Sequence, residues 1–126
     1  MQSLSTNLVV TKSQNSIAVY GIPFSPLSYS VALSANTDVA IPIPYGMDTA
    51  IFSYSAGATV VVLEGLVGAT NAVPTGTPTQ TTQRINPPVC AVDPVDSNGN
   101  PLYLHLISPN PNDWVMVGFY FDGVVT

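Results

Sequence analysis

The stretch from Tyr29 to Glu64 most constrains what this chain can fold into. Three short runs alternate apolar residues with small or polar ones, around Val31, Ile41 and Phe52, and a β-branched run follows up to Glu64. Successive side chains of a strand point to opposite faces, so a period of two is typical of half-buried strands. Turns rich in Asn, Asp, Pro and Gly separate the runs. The pattern predicts four strands of an antiparallel β-sandwich or barrel.

The second of these runs carries two prolines. Ile41 and Ile43 share its apolar face, and Pro42 and Pro44 alternate with them. Proline has no backbone N–H to donate to a neighbouring strand. The run is therefore predicted to lie at the edge of a sheet or to end early.

The rest of the chain shows the same pattern of short strand-like runs separated by turns. Further strands are predicted in the ranges 8–10, 17–20, 89–92, 102–107 and 114–121. The 12 prolines and 9 glycines are spread along the chain and break every run before it reaches the roughly 10–12 residues of an amphipathic helix. We expect one all-β domain over residues 1–126, an antiparallel β-sandwich of about eight to nine strands with jelly-roll or Greek-key connectivity.

The closing run from Trp114 to Phe121 is apolar on both faces. One face carries Trp114, Met116 and Tyr120, and the other carries Val115, Val117, Phe119 and Phe121. A strand that is apolar on both sides is central in its sheet, with a second sheet covering one side. The other side then needs a different cover, for which another subunit is one candidate.

Charge is scarce in this sequence. Charged residues make up 7 % of the chain, against about 25 % in a typical soluble domain. Lys12 and Arg84 are the two cations, and the formal net charge is -5. Binding to nucleic acid or to anionic lipid needs clustered cations, so neither partner is expected. The surface is either neutral and hydroxyl-rich or buried against copies of the chain or a partner.

No segment for export or membrane insertion is evident in the sequence. The first ten residues, MQSLSTNLVV, lack the basic segment and apolar core of a signal peptide. No apolar run approaches the roughly 20 residues that span a bilayer. We expect no membrane association, and synthesis in a reducing cytoplasm.

Residues for catalysis or metal binding do not form a recognisable set. Cys90 lies in an apolar run and is expected to be buried and inert, and the single histidine, His105, lies on another strand. The acidic turn 93–100 fails the EF-hand pattern, because its first and twelfth positions fall on Pro94 and His105. A hairpin turn around Asn98-Gly99 explains these residues, with a different calcium site as the alternative. We expect no enzyme activity, no cofactor and no metal.

The loop 65–88 is long for a connection in a sandwich, and its middle is rich in Thr, Pro and Gln. Long loops without structure are usually functional or disordered, and an extended Thr-rich chain also suits strand addition to a neighbour. The range 73–84 is expected to be extended and to project from the domain. This loop and the N-terminal segment 1–12 are candidate subunit-contacting arms. The candidate contacts in the loop are Thr75, Thr77, Thr79, Thr81 and Arg84.

Two aromatic residues lie near predicted turns rather than in the middle of strands. Tyr45 follows Pro44, and Trp114 opens the closing strand. The ring faces of such residues can contact a partner protein or stack on a sugar. Tyr45 and Trp114 complete the set of candidate partner contacts.

The order of elements in residues 28–121 resembles small β-sandwich virion proteins of tailed bacteriophages. The pattern is carried by VALSANTDVAIPIPYGMDTAIFSYSAGATVVV, then by Asn86-Pro87 and the closing aromatic strand. The resemblance implies a capsid decoration or cement protein on the capsid surface, a homo-oligomer and most simply a trimer. The implied partners are copies of the chain and the major capsid protein or another virion protein. A receptor- or glycan-binding module of a phage fibre or other appendage is the alternative.

Overall fold

The computed structural model describes residues 24–121 and the backbone of two short strands before them. Ten strands are present in the described residues, and no helix. They are β1 (Val9–Lys12), β2 (Ala18–Gly21), β3 (Ser28–Ala32), β4 (Val39–Pro42), β5 (Thr49–Tyr54), β6 (Val61–Gly65), β7 (Arg84–Ile85), β8 (Val89–Ala91), β9 (Tyr103–Ile107) and β10 (Trp114–Tyr120). The predicted all-β fold is confirmed. Residues 1–8 of the N-terminal segment lie outside the described residues.

Eight of the strands form a sandwich of two four-stranded antiparallel sheets. The strand orders are β3-β10-β5-β8 in the first sheet and β4-β9-β6-β7 in the second. Apart from β6 and β7, each strand is followed in sequence by one in the opposite sheet. This double-sheet arrangement is that of a jelly roll, one of the two predicted connectivities. Strands β1 and β2 pair with each other in a separate two-stranded sheet.

The four strands of the Tyr29 to Glu64 region do not pair with one another. β3 and β5 belong to the first sheet, whereas β4 and β6 belong to the second. The connections 33–38, 43–48 and 55–60 are long enough to cross the ~10 Å between packed sheets, which a two-residue hairpin turn is not. The hairpin turn predicted at Asn98-Gly99 forms, with Gly99 at φ 81 and an isolated antiparallel bridge between Val95 and Pro101. The longer strands beyond this turn, β8 and β9, lie in opposite sheets.

The two prolines act as predicted. β4 ends at Pro42 and lies at one edge of the second sheet. Ile41 and Ile43 are 3 % and 5 % exposed and pack into the core between the sheets. From β10, the core receives Val115, Val117 and Phe119, all fully buried. β10 is thus a central strand, as its sequence indicated.

Two polar side chains fix the connections at one end of the sandwich. Asp113 is buried, and its Oδ2 accepts hydrogen bonds from Ser108 Oγ at 2.6 Å, Asn110 Nδ2 at 3.0 Å and the Thr59 N–H at 3.0 Å. Asn86 adopts a positive φ of 48, and its side chain bonds the backbone just before β6. Both residues satisfy backbone or hydroxyl groups that no strand pairing reaches.

The connection between β6 and β7 begins by covering the outer face of the second sheet. Asn71 is 2 % exposed, and its Nδ2 donates to Val61 O at 2.9 Å and to His105 O at 2.8 Å. Gln83 Nε2 in turn donates to Asn71 Oδ1 and to Ala72 O, both at 2.7 Å. We call residues 66–72 the strap. Amide side chains therefore anchor a connection that has few apolar residues. Arg84 was predicted to lie in the projecting range 73–84, but it belongs to strand β7.

Candidate interaction surface

The outer face of the first sheet carries a group of neighbouring exposed strand residues. Its side chains come from alternate positions of neighbouring strands, with Met116 of β10 between Ser30 of β3 and Ser53 of β5. We define the bare face as six exposed residues: Ser30, Ala32, Ser53, Val89, Trp114 and Met116. None of the six carries a charge.

Trp114 and Met116 dominate the bare face. They are 42 % and 49 % exposed, while Val115 and Val117 between and beyond them are fully buried in the core. The alternation of β10 therefore places one apolar set inside and a second one outside. The sequence had indicated a strand in need of a second cover. Among the described residues no segment lies over Met116.

The two sheets differ in this respect. On the outer face of the second sheet, His105 is 1 % exposed and Ile107 is 4 % exposed, because the strap and Asp38 lie against that face. A Cβ added to Gly65 would come within 2.8 Å of the Ala69 Cβ, which shows how closely the strap approaches the sheet. The chain thus covers the outer face of the second sheet around His105 with its own residues. On the outer face of the first sheet, Thr49 and Tyr120 at one end are 8 % and 7 % exposed, and the end with Trp114 is left exposed.

Tyr45 and Trp114 are both on the surface, as predicted, but not together. Tyr45 is 86 % exposed and precedes β5, whose first residue, Thr49, pairs with Tyr120. Trp114 lies at the opposite end of β10, next to Ala32. The structure brings Trp114 to the bare face and leaves Tyr45 near the other end of the sandwich.

The threonine contacts cluster apart from the bare face. Residues 74–82 are exposed, and a cavity of about 340 Å³ opens beneath them. Its walls include the four predicted contacts Thr75, Thr77, Thr79 and Thr81. Thr79 Oγ1 donates to Thr77 O, and Thr81 Oγ1 accepts from the Gln83 N–H, so the loop is partly held by its own hydroxyls.

Arg84 lines a different cavity, of about 460 Å³, between the short edge strands β7 and β8. Glu64 and Cys90 line it too. Burial raises the pKa of Glu64 above its ordinary value, although the carboxylate accepts a hydrogen bond from the Asp93 N–H at 2.8 Å. Cys90 is half-buried rather than fully buried, because β8 is an edge strand whose inner face borders this cavity.

The acidic turn 93–100 is stabilised by hydrogen bonds from its own backbone to a side chain within it. Asp96 Oδ1 accepts hydrogen bonds from the N–H groups of Asn98 and Asn100, both at 2.9 Å. Those backbone hydrogen bonds lower the pKa of Asp96. Within residues 24–121, no three acidic, histidine or cysteine side chains group as metal ligands would. No helix of the described chain is long and apolar enough to cross a membrane.

The comparisons with known proteins return nothing. No family model, no curated protein and no solved structure matches the chain. The surfaces described above therefore have to support a function by their own chemistry.

Sequence reasoning missed two parts of this arrangement. Met116 was placed on the outer face of β10 with Trp114 but was not recognised as a contact residue. The signal in the sequence was the apolar second face of β10, whereas the small neighbours Ser30 and Ser53 follow from strand pairing, which the structure shows. Asn71 gave no signal, because its two carbonyl partners come from strands 10 and 34 residues away in sequence.

Proposed function

We propose that this protein is a non-enzymatic structural component of a tailed-phage virion, which decorates or cements the capsid as a homo-oligomer, most simply a trimer. The observation that carries the proposal is the bare face, an uncharged strand surface with Trp114 and Met116 exposed on its central strand, on a chain of net charge -5. Its partner is the major capsid protein or another virion protein. Its place is the outer capsid surface, after synthesis in the host cytoplasm.

The chemistry of the bare face suits a flat protein partner. Apolar area contributes roughly 25 cal/mol per Å² when it is removed from water, before the costs of association. Ser30 and Ser53 supply hydroxyls that can donate or accept, so a partner's polar groups can be satisfied across the contact. No charge has to be desolvated. Many copies on one shell would add such contacts through multivalency.

The fold supports the proposal only by analogy. Jelly rolls build viral capsid domains, and they also build lectin domains. One fold hosts many functions, so the site has to decide between them. A glycan-binding appendage would be favoured by Tyr45 and Trp114 in one concave patch, and the two rings lie at opposite ends of the sandwich.

The test uses shells of the phage that encodes the chain, stripped of this protein, and follows rebinding by co-sedimentation. The wild-type protein should bind in lattice-matched copy number. Binding should change little from roughly 0.05 to 1 M salt, because salt screens charge-driven contacts and spares apolar ones. Met116→Lys should weaken binding at least about tenfold, since a lysine would be buried without a partner.

Val67→Lys is the matched control. Val67 is 69 % exposed on the strap, away from the bare face, and its replacement should leave shell binding unchanged. Wild-type protein that does not bind shells would refute the proposal. Binding that falls steeply with salt would refute the role of the bare face, and retention on a glycan array would favour the appendage instead.

A further inference from the structure

Three of the four outer strands in the sandwich carry a feature that blocks further strand pairing. β4 contains Pro42, β7 is two residues long and includes Arg84, and β8 is three residues long and follows Pro87 and Pro88. Prolines, charges and short length are the devices by which proteins protect open sheet edges.

β3 is the exception. It is an edge strand of five residues, SYSVA, with no proline and no charge. An edge of this kind presents unpaired backbone groups to any extended segment that can reach it. The fold therefore leaves one edge open to strand addition.

The register shows which groups the edge offers. Phe119 N–H donates to Leu27 O at 3.0 Å, and Leu33 N–H donates to Asp113 O at 2.9 Å. The backbone N–H and C=O groups of the odd-numbered residues of β3 therefore point toward β10. Directly opposed pairs alternate between bonded and non-bonded in an antiparallel ladder. The N–H and C=O groups of Ser28, Ser30 and Ala32 accordingly point toward the open edge.

The β1–β2 hairpin has no third strand beside it in the described residues. Its four residue pairs form a two-stranded sheet that joins neither sheet of the sandwich. An isolated two-stranded hairpin is marginally stable in water, and a third strand is usually needed. Residues 22–27 connect it to β3 and can span at most about 20 Å.

We propose that the β1–β2 hairpin of a neighbouring copy adds to the open edge of β3. The inference rests on the homo-oligomer in the proposed function and names the contact that builds it. Backbone hydrogen bonds would supply the attraction, which suits a chain with so few charges. Because hairpin and edge are different surfaces, the contact is heterologous, and repeating it around an axis closes a ring such as a trimer.

Disulfide trapping between different copies tests the contact. In a Cys90→Ala background, Ser30→Cys is co-expressed with a differently tagged copy that carries either Val10→Cys on β1 or Val19→Cys on β2. A bond requires the two Cα atoms to approach within roughly 4.4–6.8 Å. We expect a covalent pair of the two tags on a non-reducing gel for one hairpin position. Ser30→Cys with Val67→Cys is the control and should give none.

A second measurement does not depend on cysteine chemistry. Ser30→Pro removes an N–H from the open edge without breaking the ladder to β10, and should weaken self-association at least tenfold in sedimentation. Ser30→Ala should leave it unchanged. Thermal unfolding of the dilute monomers checks that both variants fold, and a Ser30→Pro chain that fails this check leaves the decision to the trapping experiment.

Oligomers that form without trapping at either hairpin position would overturn the inference. A bond that forms within one chain, in the Ser30→Cys/Val19→Cys or Ser30→Cys/Val10→Cys double variant, would also overturn it, because the chain's own hairpin would then fill the edge. Met116→Lys separates this inference from the proposed function, because Met116 belongs to the bare face and lies on β10 rather than on the open edge. Loss of shell binding in Met116→Lys with trapping retained would count against the proposed function alone. Absence of trapping in a chain that still binds shells would count against this inference alone.

Discussion

His105 Nδ1 lies 3.3 Å from Asp38 Oδ2, while Nε2 of the same ring lies 2.7 Å from the carbonyl oxygen of Leu66. The carbonyl can only accept, so Nε2 must donate. Nδ1 is buried and, although it is close to the carboxylate, it lies outside hydrogen-bond geometry. Through the Nε2 bond to Leu66 O, the His105 ring links the strap to β9.

His105→Leu should therefore loosen the strap. The change keeps most of the buried volume but leaves Leu66 O and Asp38 without the imidazole. Loss of a buried partner costs about 1–3 kcal/mol, which should appear in the free energy of unfolding by denaturant. Hydrogen exchange should rise in residues 66–72 first. Tyr103→Phe, in the same row of β9, is the control, and an equal loss there would argue against a specific role for His105.

Asp113 should make stability fall in acid. Burial by itself would raise its pKa, but the hydrogen bonds from Ser108, Thr59 and Asn110 outweigh that effect and lower it. A carboxyl with a lowered pKa stabilises the fold above its unfolded value of about 3.9, and the contribution is lost as pH falls through the folded pKa. Asp113→Asn should be less stable at neutral pH.

Denaturant midpoints between about pH 2 and 7 measure this dependence. The wild-type midpoint should fall more steeply in acid than that of Asp113→Asn. Ser108→Ala, which removes one of the three bonds, should lie between them. An unchanged acid slope in Asp113→Asn would show that other carboxyls carry the effect.

Asn86 should be far more sensitive to alanine than to glycine. Its Oδ1 accepts from the Val60 N–H and its Nδ2 donates to Ala58 O, both at 2.7 Å. Either substitution loses these bonds, at about 1 kcal/mol each. Alanine adds about 1–2 kcal/mol more, because it must adopt the positive φ that glycine tolerates. Equal unfolding free energies for the two variants would contradict the role of the backbone.

Cys90 should react slowly with thiol reagents. Burial raises its pKa most, Arg84 lowers it and Glu64 raises it. Because the thiolate is the reactive form, labelling of the native protein should be about tenfold slower than that of the unfolded chain. Arg84→Gln should slow labelling further and Glu64→Gln should speed it. Fast native labelling would refute the inert role expected from the sequence.

Deleting residues 75–82 should leave the domain folded. The bond from Gln83 Nε2 to Ala72 O holds the two ends of that loop together, so a short connection can join them. Shortening a loop changes its closure entropy by only about 0.6 kcal/mol per halving of its length. Assembly should weaken if the threonines contact a neighbour. Gln83→Ala is the comparison and should cost more stability than the deletion.

Much of the fold could be predicted from the alternation of side chains along each strand. Ile41 and Ile43 face the core, Pro42 lies on an edge strand, and β10 is central, because strand faces and proline chemistry depend on neighbours within a few residues. The same alternation predicted a second apolar set on β10, namely Trp114, Met116 and Tyr120. The structure leaves Trp114 and Met116 exposed but buries Tyr120.

The alternation did not predict which strands pair with each other. Period two specifies which residues point inward but not which strand lies beside which, so the sequence left open whether β3 pairs with β4 or, as the structure has it, with β10. That choice depends on how eight strands close two layers around one core, over separations of up to some ninety residues. Local alternation determined the strands and their faces. Only the tertiary structure decided which sheet face the chain covers itself, through Asn71 and the strap, and which face and edge it leaves exposed.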